Sequence, residues 1–179
     1  MIILVDLDGP LADWEGYFLE KWISKFPKEE FIPFVRRETF KVKDQYPEHL
    51  REMVESIDKE KGFYLNLPPV AGGISAVKEM LDLGHDVRIC TSPLIDYQNC
   101  VLEKYQWVHN NLGFDFVKRM ILVRDKTFIK GDFLIDDNPK IHGVNSPGWE
   151  HVLFDCPYNQ NIPGRRITSW RNWKDVLNV

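Results

Sequence analysis

Two carboxylates separated by one residue follow the first apolar run of the chain. Asp6 and Asp8 come directly after Ile2–Val5, and Gly9 follows them. If this run is a parallel strand, both side chains leave its carboxyl end, where open α/β sheets bind their ligands. One carboxylate could then act as a nucleophile and the other as an acid and base, while Gly9 permits a sharp turn. A solvated Asp-Gly turn is the simpler interpretation of this motif alone.

A second pair of carboxylates, Asp136 and Asp137, follows the apolar run Phe133–Ile135. Adjacent carboxylates at the end of a buried strand repel each other and lose hydration, so they favour a site with a nearby cation. Mg²⁺ is the natural cation because it is hard and binds carboxylate oxygen and water. A loop with helix-capping aspartates before Asn138 is the alternative interpretation.

Hydroxyl and basic residues follow two further apolar runs. Thr91 and Ser92 follow Val87–Cys90, and hydroxyls and amides at a strand end can bind phosphate oxygens. Lys126 lies just beyond Met120–Val123 and could bring a cation to the phosphate and the acidic residues. Taken singly, a helix cap explains the hydroxyl residues and a surface position explains the lysine. Together, four runs end in the residue types that phosphoryl transfer needs, which favours one phosphate-transfer site.

Short apolar runs rich in branched residues predict parallel strands that are covered on both faces. The predicted strands are Ile2–Val5, Val87–Cys90, Met120–Val123, Phe133–Ile135 and His151–Phe154. Apolar residues at helical spacing predict helices over Ile74–Leu83 and Tyr97–Leu112, which end before Gly84 and Gly113. The alternation of strands and helices predicts an α/β fold with a doubly wound parallel sheet.

The segment 14–70 interrupts this alternation. It is rich in aromatic and charged residues, and Pro27, Pro33 and Pro47 divide it into helical stretches with no strand before Phe63. The Pro-Pro-Val-Ala-Gly-Gly run at 68–73 is a natural hinge. We therefore expect a catalytic core formed by residues 1–13 and 71–179, with a small helical cap at 14–70 inserted after the first strand.

The composition is that of an ordinary globular protein. A formal net charge of -4 argues against nucleic-acid polymers, whose binders usually carry a basic patch. No apolar run reaches the roughly 18 residues that span a bilayer, and Ile2–Val5 is too short for a signal peptide. Cys90, Cys100 and Cys156 lack the spacing of zinc ligands, so we expect reduced thiols in a cytoplasmic protein.

The series of motifs resembles that of the 5'(3')-deoxyribonucleotidases, a family of the haloacid dehalogenase (HAD) superfamily. The similar segments run nearly from end to end: DLDGPLADWEGYF (6–18), ICTSPL (89–94), EKYQWV (103–108), VRDKT (123–127), LIDDNP (134–139), WEHVLF (149–154) and SWRNW (169–173). The resemblance implies a Mg²⁺-dependent phosphatase whose partner is a small nucleotide, with no polymer and no membrane involved. It leaves the oligomeric state open, with a homodimer as one candidate.

The resemblance also assigns roles to the carboxylates. Asp6 would be the nucleophile that forms an aspartyl-phosphate, and Asp8 the residue that protonates the leaving oxygen and then deprotonates water. Carboxylate oxygens of Asp6 and Asp137 and the backbone carbonyl of Asp8 would bind Mg²⁺. Asp136 would orient a metal-bound water, although Asp136 and Asp137 could exchange these roles.

Phosphate binding would fall to Thr91, Ser92 and Lys126. Lys104 and Arg124 stand at positions that look similar to the family, with a structural or surface ion pair as an equal alternative. The expected nucleoside pocket consists of aromatic and neighbouring residues of the cap: Trp14, Phe40, Lys41 and Val42, with Phe18 and Phe63 as second choices. Aromatic faces can stack on a base, and the backbone near Val42 would read a pyrimidine edge. Core packing is the alternative role for these aromatics.

Three other functions are compatible with parts of this pattern. A phosphatase of the same superfamily could act on another small ester, such as a sugar phosphate. A phospho-accepting signalling domain also uses an aspartate, a hydroxyl residue and a lysine around Mg²⁺, but its phospho-acceptor stands on a middle strand and it needs no aromatic cap. A non-catalytic nucleotide binder is disfavoured because no catalytic position is missing.

Overall fold

The computed structural model describes residues 1–179 and contains one six-stranded sheet in which all neighbouring strands are parallel. The strands are β1 (Ile2–Val5), β2 (Asp86–Thr91), β3 (Met120–Leu122), β4 (Phe133–Asp136), β5 (Glu150–Phe154) and β6 (Arg165–Ile167). Their spatial order is β3-β2-β1-β4-β5-β6, so the chain extends the sheet on one side of β1 and then on the other. This confirms the predicted α/β fold with a doubly wound parallel sheet.

Helices connect these strands. They are α1 (Trp14–Lys25), α2 (Arg51–Ile57), α3 (Gly73–Asp82), α4 (Cys100–Leu112), α5 (Phe114–Val117) and α6 (Trp173–Leu177). Short 3₁₀ turns occur at Phe34–Arg36, Val42–Gln45, Glu48–Leu50, Lys126–Phe128, Pro157–Asn159 and Trp170–Asn172. The prediction that a helix begins at Tyr97 was wrong, because residues 97–99 form the turn that precedes α4. None of the helices has the length and apolar character that crossing a bilayer requires.

The sequence gives no sign of β6. Two of its three residues, Arg165 and Arg166, carry charges that pair with Glu150 and Asp155 respectively. Only Ile167 is fully buried. Because β6 is the edge strand, one of its sides is open to solvent and it needs no continuous apolar run.

The apolar runs of the central strands bury side chains on both faces of the sheet. Ile3 and Val5 of β1 belong to the large hydrophobic core, whereas Leu4 packs with Leu134 and Trp149 in a smaller cluster. Successive side chains of a strand point to opposite faces, so the absence of alternation shows that both faces are covered.

The segment 14–70 contains α1, α2 and three 3₁₀ turns, and its chain ends lie side by side. Asp13 caps α1 by accepting a hydrogen bond from the Gly16 amide at 2.9 Å. The Asp13 amide donates to the Pro68 carbonyl at 2.7 Å, and the Val70 amide donates to the Leu11 carbonyl at 2.8 Å. The large hydrophobic core includes residues of this segment as well as of the sheet. Its division from residues 1–13 and 71–179 as a cap stays a prediction.

Glu103 links helix α4 to residues 62–64, near the end of the segment 14–70. Its carboxylate is buried and accepts hydrogen bonds from the Gly62 amide at 2.7 Å and the Tyr64 amide at 3.1 Å. The Tyr97 hydroxyl donates to the same carboxylate at 2.5 Å. Three donors thus converge on one side chain that spans from α4 to the turn at 62–64.

We expect Glu103→Gln to destabilise the protein although the side chain keeps its size. The new amide group places a donor where three donors already converge, and a hydrogen bond to a charged group contributes about 1.5–3 kcal/mol. For a chain of this length the melting temperature should fall by about 3–12 °C, measured by circular dichroism. The exposed Glu52 provides the matched control, since Glu52→Gln should melt like the parent. Equal melting of the two variants would contradict this role for Glu103.

Candidate active site

Four neighbouring strands of the sheet each deliver one predicted group to the same cavity. Thr91 ends β2, Asp6 follows β1, Asp136 ends β4, and Lys126 lies four residues beyond the last ladder position of β3. The spatial order β3-β2-β1-β4 places these residues next to one another at the carboxyl edge of the sheet. They line a cavity of about 450 Å³.

Three carboxylates form a tight cluster in the floor of this cavity. Oxygen atoms of Asp6, Asp136 and Asp137 lie within 4.8 Å of one another. The ammonium group of Lys126 lies 2.9 Å from Oδ1 of Asp6 and 2.5 Å from Oδ2 of Asp136. One lysine therefore faces three carboxylates.

Burial and the neighbouring charges together shift the pKa values of the groups in this cluster. Burial raises the pKa of Asp137 well above its usual range, and the charges of Asp136 and Asp6 raise it further. Burial also raises the pKa of Asp136 to about 6, although Lys126 opposes the shift. Burial alone lowers the pKa of Lys126, but Asp136 and Asp6 raise it above the usual value and keep the lysine charged. A divalent cation would supply the missing positive charge.

The oxygen atoms of the cluster fit Mg²⁺, which prefers carboxylate and carbonyl oxygen. Asp136 is already engaged, since Oδ2 accepts from Lys126 and Oδ1 accepts from the Asn138 amide at 2.9 Å. Oδ2 of Asp137 accepts a hydrogen bond from the Tyr158 hydroxyl, and Oδ1 accepts none from the protein. This pattern favours Asp137 over Asp136 as a direct ligand.

Gly9 is required by the packing of the same site. Its φ of +91° is a conformation that residues with a side chain rarely adopt. A Cβ atom at this position would lie 2.5 Å from Oδ2 of Asp137. The glycine of the Asp-Leu-Asp-Gly motif therefore makes room for the carboxylate of the second motif.

Asp8 lies outside the cluster and has a lysine of its own. The ammonium group of Lys104 is almost fully buried and donates to Oδ2 of Asp8 at 2.7 Å. It also donates to Oγ1 of Thr91 at 3.0 Å and to the Ser92 carbonyl at 2.6 Å. Burial raises the pKa of the Asp8 carboxyl even though Lys104 lowers it. Lys104 thus forms a buried ion pair with Asp8 instead of an ion pair at the surface.

The two hydroxyl residues are held differently. Thr91 accepts its hydrogen bond from Lys104, so its own hydroxyl hydrogen remains for a ligand oxygen. The Ser92 hydroxyl donates to the Val123 carbonyl at 2.9 Å. Arg124 is exposed and lines the cavity. Thr91, Ser92 and Arg124 line the same cavity as Lys126, and their role in phosphate binding stays a prediction.

The segment 14–70 forms the opposite wall of the cavity. Trp14, Phe40, Lys41 and Val42 line it, and Phe40 is 40% exposed. Phe18 and Phe63 do not line it. Both are buried behind Trp14, with ring centroids 5.0 Å and 5.8 Å from the Trp14 ring, and their role is therefore core packing.

Several residues of the cavity wall were not predicted. They are Glu15, Asp58, Tyr64, His142 and Tyr158, among others. Burial raises the pKa of Asp58 to about 6 and that of Glu15 to about 7. Glu15 stands inside a recognisable motif next to Trp14 and could have been chosen from it. Tyr158 lies in a 3₁₀ turn outside every motif, and only the fold brings it to the site.

The six-stranded parallel sheet has the fold of the haloacid dehalogenase-like proteins. A solved structure of a conserved haloacid dehalogenase-like protein of unknown function from Agrobacterium tumefaciens superposes with a TM-score of 0.65. It is 13% identical in sequence, and the match covers 99% of this chain and 97% of that chain. At this identity the likeness concerns the fold.

Sequence comparison then gives the family. The model described as "5' nucleotidase, deoxy (Pyrimidine), cytosolic type C protein" matches residues 1–179, and the chain belongs to this family. The human 5'(3')-deoxyribonucleotidase of cytosolic type is 44% identical over 186 residues, covering 98% of this chain and 92% of the human protein. A protein of Bordetella pertussis is 47% identical over 177 residues, covering 99% of this chain and 95% of its own. The predicted family is thereby confirmed.

The geometry of the carboxylates generates a prediction about metal binding. Chelation should abolish phosphatase activity and Mg²⁺ should restore it, while Ca²⁺, with its larger and looser shell, should substitute poorly. Asp137→Asn should weaken Mg²⁺ binding more than Asp136→Asn, because both oxygens of Asp136 are already engaged. Isothermal titration with MgCl₂ measures the order of the two variants. Activity that survives exhaustive chelation would refute the metal site, and the reverse order would exchange the two roles.

Proposed function

We propose that this protein is a Mg²⁺-dependent phosphatase that converts deoxynucleoside monophosphates to nucleoside and phosphate through an aspartyl-phosphate on Asp6. The observation that carries this proposal is the convergence of Asp6, Lys126 and the Asp136–Asp137 pair below an aromatic wall in one cavity. Membership of the nucleotidase family supports it, as does the name of the human relative.

In the first step a carboxylate oxygen of Asp6 attacks phosphorus and forms a new P–O bond. The bond from phosphorus to the ester oxygen breaks, and the Asp8 carboxyl gives its proton to the departing oxygen. In the second step the Asp8 carboxylate takes a proton from water, whose oxygen attacks phosphorus. The bond to Asp6 breaks, and inorganic phosphate leaves. The raised pKa of Asp8 suits a group that starts as the acid.

The remaining polar residues hold the phosphate while its charge shifts. Lys126 lies 2.9 Å from Asp6, so its ammonium group is placed to contact a phosphate oxygen beside the nucleophile. Thr91 can donate its hydroxyl hydrogen because Lys104 donates to its oxygen. Bound Mg²⁺ would be held by Asp6, Asp137 and the Asp8 carbonyl and would reduce repulsion between the nucleophile and the phosphate. Donors placed in advance contribute most to such reactions.

Recognition of the nucleoside would fall to the segment 14–70, which we propose is a cap over the core of residues 1–13 and 71–179. Trp14 and Phe40 present aromatic surface to the cavity, and Lys41 and Val42 continue the same wall. A base can stack on such surfaces, and its sugar would lie between them and the phosphate site. We further infer a cytoplasmic location from the reduced, buried thiols of the three cysteines.

A panel of nucleoside monophosphates assayed with Mg²⁺, together with Phe40→Ala, tests this proposal. Deoxypyrimidine monophosphates should be turned over far better than p-nitrophenyl phosphate, which has no base to stack. Losing one stacking aromatic costs about 1–3 kcal/mol, so kcat/KM of Phe40→Ala for the nucleotide should fall about tenfold to a hundredfold.

The generic ester separates recognition from damage to the fold. Its kcat/KM should change little in Phe40→Ala, because it makes few contacts with the cap. Phe31→Ala is the control, since Phe31 is similarly exposed in the same segment but does not line the cavity. If Phe40→Ala melts like the parent and loses kcat/KM equally for both substrates, Phe40 does not recognise the nucleoside and the proposal that the substrate is a nucleotide is wrong. A phosphatase of other small esters would then remain.

A further inference from the structure

Tyr158 connects the carboxylate cluster to the wall of the nucleoside pocket. It lies in the 3₁₀ turn Pro157–Asn159 after β5 and is 9% exposed. Its hydroxyl donates a hydrogen bond to Oδ2 of Asp137. Its ring packs against the Phe40 ring in a T-shaped arrangement, with 5.7 Å between the ring centroids. One side chain therefore contacts both a carboxylate of the cluster and an aromatic of the pocket.

The turn that carries Tyr158 is joined by a hydrogen bond to the backbone of the same residue, Asp137. The neighbouring Asn159 is fully buried, and its amide nitrogen donates to the carbonyls of Asp137 and Phe154, both at 2.8 Å. Its amide oxygen accepts from Arg166 at 2.6 Å. Because these bonds join the turn to the backbone of Asp137, the position of the Tyr158 hydroxyl is set relative to that carboxylate.

On the pocket side, Arg37 completes the connection. The Arg37 guanidinium lies 5.7 Å from the centroid of the Tyr158 ring and forms a buried ion pair with Glu15. It donates to the carbonyls of Thr39 at 2.8 Å and Phe40 at 3.2 Å. The loop that presents Phe40 is thus held by an arginine that packs against Tyr158.

We propose that Tyr158 is a positioning residue, which orients Asp137 for Mg²⁺ through its hydroxyl and supports Phe40 through its ring. The inference rests on the proposed function, because it assigns Asp137 to the metal and Phe40 to the nucleoside. The hydroxyl occupies one oxygen of Asp137 and leaves the other for the cation. The ring acts separately, as a surface on which Arg37 and Phe40 pack.

These two tasks can be separated by two substitutions at the same position. Tyr158→Phe removes the hydroxyl and keeps the ring, so the Asp137 carboxylate loses the donor that orients it. Loss of such a partner behind a metal ligand typically weakens metal binding or activity about tenfold to a hundredfold. Tyr158→Leu removes the ring as well and leaves the Phe40 loop without its support.

The experiment measures Mg²⁺ binding first, in the absence of substrate, by isothermal titration with MgCl₂. We expect the dissociation constant of Tyr158→Phe to rise about tenfold relative to the parent. Steady-state kinetics at saturating Mg²⁺ should then give a nucleotide KM within about twofold of the parent for Tyr158→Phe, since the stacking surfaces remain. Tyr158→Leu should in addition raise the nucleotide KM well above that of Tyr158→Phe.

Tyr46→Phe is the matched control. Tyr46 is also buried and its hydroxyl accepts a hydrogen bond from the Ile32 amide at 3.1 Å, but it does not line the cavity. This variant should bind Mg²⁺ like the parent, which excludes a general effect of removing one buried hydroxyl.

The possible failures are distinguishable. If the parent binds Mg²⁺ and Tyr158→Phe binds it equally well, Tyr158 does not orient Asp137 and the inference is wrong while the proposed function stands. If the parent does not bind Mg²⁺, the proposed function fails together with the inference. If the nucleotide KM of Tyr158→Leu equals that of Tyr158→Phe, the ring does not support the pocket. The Mg²⁺ titration needs only Tyr158→Phe, whose side chain keeps the packing of the parent.

Discussion

Repulsion among three carboxylates at the centre of the sheet edge is the constraint on which the site depends. Asp6, Asp136 and Asp137 lie within 4.8 Å of one another, and Lys126 is the one ammonium group among them. Bringing like charges together in a buried place costs free energy unless cations compensate, and the raised pKa values of Asp136 and Asp137 express this cost. The fold brings the cluster together because β1 and β4 are neighbouring parallel strands, so the residues at their carboxyl ends lie side by side. A cluster with this excess of negative charge has the composition that a metal-ion site requires.

The two carboxylates of the first motif, Asp6 and Asp8, each form an ion pair with a different lysine. Lys126 belongs to the cluster that contains Asp6, whereas Lys104 reaches Asp8 from α4 and also contacts Thr91. Asp6 and Asp8 are thus separated by only one residue in the chain but contact different lysines. The roles proposed for Asp6 as nucleophile and Asp8 as acid require such a difference in environment. The aromatic wall of residues 14–70 then covers the site from the opposite side.

Much of this arrangement follows from local sequence patterns. The apolar runs of β1, β2, β3 and β4 predict buried parallel strands, and the residue types at their ends predict phosphate chemistry, because both signals are carried by consecutive residues. β6 could not be predicted, because an edge strand with two charged arginines contains no apolar run. Phe18 and Phe63 were predicted as possible pocket residues but lie in the core for a similar reason. Aromatic residues at helical spacing give the same sequence pattern whether they line a pocket or pack in a core. Tyr158 and the ion pair of Glu15 with Arg37 depend on contacts between distant parts of the chain, which no local pattern records.

The most direct test of the central claim is a crystal structure of the protein grown with Mg²⁺ and beryllium fluoride, which mimics a phosphoryl group on a carboxylate. The predicted result is beryllium bonded to a carboxylate oxygen of Asp6. Mg²⁺ should contact Asp137, and the ammonium group of Lys126 should lie beside the fluorides. Asp6→Asn, treated in the same way, should carry no adduct. Beryllium bonded to Asp8 or Asp136, or an adduct that persists in Asp6→Asn, would contradict the assignment of Asp6 as the nucleophile.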